Sequence, residues 1–294
     1  MRLVLLPFWF LCVFFYISNQ SVLAGDFAIG SWPVQGYTKW RIEFPMANGS
    51  TAFSDHGASE LYYPQEGSYV TMGYKTQPNK KGFFSADGGY LNRLRPGIGF
   101  DADWDYTQSD REWYYGEFRS GGSSGYLDFR WHKPVSGDSE VFLGYSYRHS
   151  NFQMNDGQYS VYDFQSVNTS LPDLNSTYSL TYQGPHIGAA TNKKISPTLS
   201  IIGTITYSPL AAVRGHGYWN LRDLDFVHSG LGHMVDTQLG LRYSMPKNSG
   251  SLTLSYQYRY MDIYKGGENT SHDITWVTAA TVQEGVLVSG EYRF

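Results

Sequence analysis

The sequence predicts an all-β protein: a closed, ten-stranded antiparallel barrel that crosses a lipid bilayer. Three observations predict it: two-residue alternation, an aromatic-rich composition with no second long apolar run, and turn signals at near-regular spacing. Leu252, Leu254, Tyr256, Tyr258 and Tyr260 share one strand face, and Thr253, Ser255, Gln257 and Arg259 share the other. The segments 235–243, 127–132, 40–44 and 286–294 alternate in the same way. A soluble sheet of this kind needs a second layer over its apolar face, and no amphipathic helical stretch supplies one. In a bilayer the apolar face meets lipid, the charged face meets the lumen, and closure leaves no unpaired backbone edge.

Composition points the same way. The chain holds 25 Tyr, 32 Gly and 8 Trp, while charged residues make up 16 %. Mean hydropathy is −0.38. Abundant aromatics without a further apolar 20-mer suit strands that alternate lipid-facing and lumen-facing residues between aromatic girdles. The net charge of −4 argues against a nucleic-acid partner.

Turn chemistry sets the strand count. Short clusters rich in Pro, Gly, Asn and Lys stand at 78–82, 133–138, 192–197 and 246–250, about 55 residues apart, each between alternating segments. Longer polar or Gly-rich connections are expected near 45–66, 91–112, 150–176, 208–231 and 263–282. Four short turns and five long loops join ten strands with both termini on the short-turn side. Outer-membrane barrels have short periplasmic turns, long outer loops and an even strand number.

The two ends of the chain fit this placement. Arg2, an apolar run from Leu3 to Ile17 and a Val22-Leu23-Ala24 cleavage site read as a signal peptide over 1–24, leaving one barrel domain over 25–294. The single cysteine, Cys12, falls in that leader, so residues 25–294 have no disulfide or thiolate metal site. Phe294 on an alternating strand resembles the C-terminal signal of outer-membrane barrels. The expected location is therefore the outer membrane of a Gram-negative cell, reached through the periplasm, with membrane lipid as a partner.

The expected lumen face carries Lys39, Arg41, Glu43, Asp128, Arg130, His132, Arg148, Arg259, Glu291 and Arg293. Charges of both signs in so narrow a barrel should pair into a polar plug rather than line a pore. Function then falls to the outer loops. In the second, Asp101 and Asp103 alternate in an extended segment, so both carboxylates can point one way. Such a pair can share a proton and activate water, bind a cation, or stand as a solvated acidic loop.

Asp101-Ala102-Asp103-Trp104 resembles the Asp-x-Asp-Trp motif of the omptins, ten-stranded outer-membrane proteases of Gram-negative bacteria. Ser59-Glu60-Leu61-Tyr62, Gly144-Tyr145, Pro185-His186-Ile187-Gly188 and the stretch from Tyr207-Ser208 to Phe226 resemble other omptin segments. The resemblance runs along most of residues 25–294 and implies that Asp101 and Asp103 belong to a catalytic site. The family's loop-four Asp-Glu-His triplet is not matched: an ungapped reading puts Gly217, Tyr218 and Trp219 there. His216, one residue away, is the candidate replacement, with Asp223 or Asp225 to orient it. The family's lipopolysaccharide site is matched by Tyr145, while its charged positions fall at Tyr147, His149 and Thr181. The resemblance implies no cofactor and leaves lipopolysaccharide open as an activating lipid.

Two functions stand. One is a cell-surface endopeptidase acting on extracellular peptides or proteins through Asp101, Asp103 and His216. The other is a non-catalytic barrel of the same fold serving as an adhesin, binding surface or structural outer-membrane protein. Trp113, Tyr114, Tyr115, Tyr218 and Trp219 suit contact with sugars or protein surfaces, and equally suit a membrane-boundary girdle. A small-solute pore is the third and weakest reading.

Overall fold

The computed structural model describes residues 25–46, 55–79, 81–245, 250–269 and 273–293. The expected leader, the residues 246–249 of the fourth turn and Phe294 lie outside the described residues. Ten antiparallel strands form a ring: β1 (Gly25–Pro45), β2 (His56–Pro64 and Gly67–Thr76), β3 (Phe83–Leu91 and Gly97–Asp105), β4 (Glu112–Ser136) and β5 (Ser139–Tyr162). They continue with β6 (Gln165–Lys194), β7 (Leu199–Trp219), β8 (Leu224–Ser244), β9 (Gly250–Glu268) and β10 (Thr275–Arg293). Each strand pairs with its neighbours in the chain, and β1 closes the ring on β10 with Asp26 opposite Arg293. Short interruptions at Gln65-Glu66 and at 92–96 divide β2 and β3. At this level Gly122 has φ +143°, and a Cβ there would lie 1.9 Å from the Asn151 carbonyl oxygen. Only glycine fits that approach.

The lower part of the wall follows the expected alternation. Leu239, Leu241, Leu252, Leu254, Val286 and Val288 point outward and are exposed. Inside, Arg148 lies 2.8 Å from Asp128 and 3.0 Å from Asp236, and Arg259 bonds the other Asp236 oxygen. Arg130 joins Asp128 and Asp87. Arg259 also lies over the Trp32 and Tyr126 rings, with 5.0 and 4.5 Å to the centroids. Arg148, Arg259, Asp128 and Asp236 are buried, Arg130 and Asp87 partly so, and together they fill the lumen as a plug.

Above the plug the chemistry of the wall reverses. Trp40, Ile42 and Phe44 face the interior, and Lys39, Arg41 and Glu43 face outward, which corrects the expected lumen position of those three charges. Lys39 pairs with Glu60 at 3.7 Å, and Arg41 lies over the Trp104 ring on the outer surface. The strand keeps its parity; its surroundings change from lipid to water. From Phe27 to Tyr37 the chain rises about 25 Å at roughly 3.3 Å per residue and a tilt of about 40°, the height of an outer-membrane apolar band. Stacked outer rings mark its upper edge: Tyr37 on Tyr62 at 5.5 Å, Tyr62 on Phe100 at 5.2 Å, and Phe100 on Tyr115 at 5.8 Å.

The expected loops are largely strand. β5 and β6 run through 150–176 and meet at a two-residue turn, where Asp163 and Phe164 have φ of 52° and 59°. β7 and β8 likewise run through most of 208–231, joined by a 3₁₀ turn at Asn220–Arg222. These hairpins carry the barrel wall above the membrane. With water outside and a mixed interior, the apolar contrast that reveals a strand in sequence is weak there.

Candidate functional site

The raised wall encloses a cavity of about 1050 Å³ at the outer end of the barrel. Its floor is a buried aromatic cluster. Tyr63 stacks on Phe152 at 4.5 Å and on Tyr178 at 6.0 Å, and Trp40 packs on Tyr178 at 5.2 Å. Ile42, Phe44, Leu61, Tyr114, Tyr159, Trp219 and Phe226 continue the lining. The cavity is apolar and aromatic, with a few convergent polar groups, the usual make-up of a small-ligand site.

Asp101 and Asp103 are two of those polar groups. β3 pairs with β2 so that Asp101 lies opposite Leu61 and Asp103 opposite Ser59, one step above the Tyr62–Phe100 boundary ring pair. Alternation turns both carboxylates inward, onto the same cavity wall. Burial, and then the neighbouring Asp103, hold the Asp101 carboxyl well above the ordinary carboxylate range; Arg222 opposes the shift. Burial also raises Asp103, against a hydrogen bond from Ser59 and the Arg222 charge. Two adjacent carboxyls, Asp101 buried and Asp103 half-buried, resist double ionisation, so the pair can hold a proton. The same two charges and burial raise the Tyr114 phenol beside them.

His216 is not brought to this pair. A Cβ on Gly215 would lie 2.1 Å from the Tyr178 hydroxyl, and one on Gly217 would lie 2.1 Å from the Phe226 ring. Both glycines therefore face the interior, and His216 between them faces out. Its Nε2 lies 3.0 Å from the Asp225 carboxylate on the outer surface. Of the two aspartates weighed as its partner, Asp225 is the one beside His216, on the side away from the cavity. Gly217 sits where the omptin triplet begins, and the Phe226 ring fills the space a side chain would take.

The imidazole that lines the cavity is His228, which the sequence reading left inside the fourth loop. It is fully buried among Trp40, Phe226 and Trp276. Tyr178 places its hydroxyl 3.3 Å from Nδ1, and Glu268 lies 3.7 Å from Nε2. No motif announces His228 or Glu268, because the hairpins bring them together from β8 and β9. Tyr145 faces outward in the apolar band and is 40 % exposed. Tyr147 and His149 follow on the same face, and His149 Nδ1 lies 2.8 Å from Thr181 Oγ1. The four positions that the resemblance relates to a lipid site therefore share one outer strip, without its charges. Among the described residues no group of three or more His, Cys, Asp or Glu is placed to hold a metal ion.

The comparisons agree with this architecture. A family model described as Protochlamydia outer membrane protein matches residues 139–284, just short of half the chain. No curated protein matches. Among solved structures, the outer membrane protease OmpT from Escherichia coli is similar at a TM-score of 0.72 and 12 % identity, over 92 % of this chain and 97 % of that one. The Pseudomonas putida toluene transporter TodX aligns at a TM-score of 0.32 and 9 % identity over 95 % of this chain and 93 % of its own, too low to bear on the fold. The chain is an outer-membrane β-barrel with the omptin fold.

Proposed function

We propose that this barrel is a binding protein of the cell surface, an adhesin-like molecule whose outer cavity receives an extracellular ligand. The observation that carries the proposal is the aromatic chamber above the membrane band, from which His216 is turned away. Proton transfer to a leaving group needs an imidazole or carboxyl within hydrogen-bond reach of the reacting atoms. His216 cannot supply it from the outer surface, and His228 has Tyr178 and Glu268 as its polar neighbours rather than the aspartate pair. The strip of Tyr145, Tyr147 and His149 supports contact with lipopolysaccharide by packing rather than by charge.

One observation favours a second reading, the endopeptidase. Asp101 and Asp103 share one cavity wall, and burial raises both carboxyls above the ordinary range, which favours a shared proton and suits the activation of water. The two readings separate in one experiment. Purified, refolded protein with lipopolysaccharide is incubated with a diverse peptide library and the products are read by mass spectrometry. The binding reading expects no cleavage; cleavage lost in Asp103→Ala would establish the endopeptidase instead.

A further inference from the structure

Among the polar atoms that the barrel itself leaves unsatisfied, two belong to ionisable groups that line the cavity. One carboxyl oxygen of Asp101 and Nε2 of His228 are buried without a hydrogen-bond partner. Buried polar atoms are paired in the great majority of folded proteins, so unpaired ones on groups lining a cavity point to an occupant. The Glu268 carboxylate, which only accepts, lies 3.7 Å from Nε2 and so favours the tautomer with the ring proton there, leaving Nδ1 to accept from the Tyr178 hydroxyl. That gap is long for a direct bond, yet one oxygen at about 2.8 Å from each atom bridges it.

The chemistry of the bridge is restrictive. A hydroxyl accepts from Nε2–H and donates to the carboxylate, filling both roles at once. An ammonium group has no lone pair for Nε2–H, and a carboxylate or phosphate meets the Glu268 charge. The rest of the wall agrees: its Asp, Glu, Lys and Arg side chains are mostly carboxyls, Asp101, Asp103 and Asp105 beside Arg222, which disfavours anions. Trp219 and Tyr114 offer ring surfaces to the apolar face of a sugar ring.

We propose that the outer cavity binds a neutral saccharide, packed on Trp219 and Tyr114 with one hydroxyl bridging His228 and Glu268. The inference rests on the binding reading above and names its ligand class. The test presents the full barrel in detergent micelles to an array of neutral oligosaccharides and, in parallel, to an array of basic peptides. Saturable binding to at least one neutral glycan is expected, weakened at least tenfold by Glu268→Gln and by Trp219→Ala. Heat-dependent gel mobility of both variants reports whether the barrel is folded. Glycan binding indifferent to both substitutions in folded variants overturns the assigned seat. Binding of basic peptides alone overturns the saccharide while leaving the cavity as a binding site. Failure of every probe in both arrays overturns the binding reading as well.

Discussion

At the residue scale, each ionisable group takes its meaning from which side of the wall it faces. The plug shows what a narrow lumen demands: Asp236 holds both Arg148 and Arg259, and all three are buried. Removing Asp236 leaves Arg148 on Asp128 but takes from the buried Arg259 its carboxylate partner, with Gln283 still accepting from it. Asp236→Ala should therefore cost on the order of 3–5 kcal/mol, seen as an earlier urea midpoint in micelles. The cavity carboxyls behave in the opposite way. Because burial raises Asp101, folding favours its uncharged form. The stability it contributes is fully present below the ordinary carboxylate pKa of about 4 and is lost as pH rises through the raised folded value. Asp101→Asn keeps that position uncharged at every pH. The variant should match the parent at pH 4 and exceed it at pH 8 by on the order of 1–3 kcal/mol, measured by denaturant unfolding at the two pH values.

At the element scale, the pair β7–β8 decides what the cavity contains. Gly215 and Gly217 leave room for the Tyr178 hydroxyl and the Phe226 ring, and His216 between them is pushed to the outer face. Gly217→Ala should overpack Phe226 and cost about 1–3 kcal/mol, whereas His216→Ala should change stability by no more than about 0.5 kcal/mol. Thermal unfolding of the two variants checks the assigned facing; equal costs would refute it. This hairpin also shows where the sequence was legible. β9 and β10 announce themselves, because lipid outside and charge inside give full contrast at every second residue. The upper halves of β5 to β8 read as loops, since water outside and a mixed chamber inside blur that contrast. Asp101 and Asp103 were found from their alternation, being neighbours on one strand. His228 and Glu268 were not, because only the β8–β9 pairing sets them together.

At the scale of the whole molecule, one strand rhythm serves two environments. In β1 the odd positions carry Phe27 and Ile29 toward lipid and, farther up, Lys39 and Arg41 toward water. Alternation tells which residues share a face, and the surroundings decide which face is greasy. That is why Lys39, Arg41 and Glu43 were expected in the lumen and stand outside. The reversal also marks the end of the barrel at which the proposed binding cavity lies.

Labelling of single cysteines on intact cells measures that reversal, because Cys12 is the only native cysteine. Arg41→Cys and His216→Cys should react with a membrane-impermeant maleimide, and Leu241→Cys and Val288→Cys should not. Reaction at Leu241→Cys, or protection of both outer-wall positions, would contradict a barrel whose apolar band ends below an extracellular chamber.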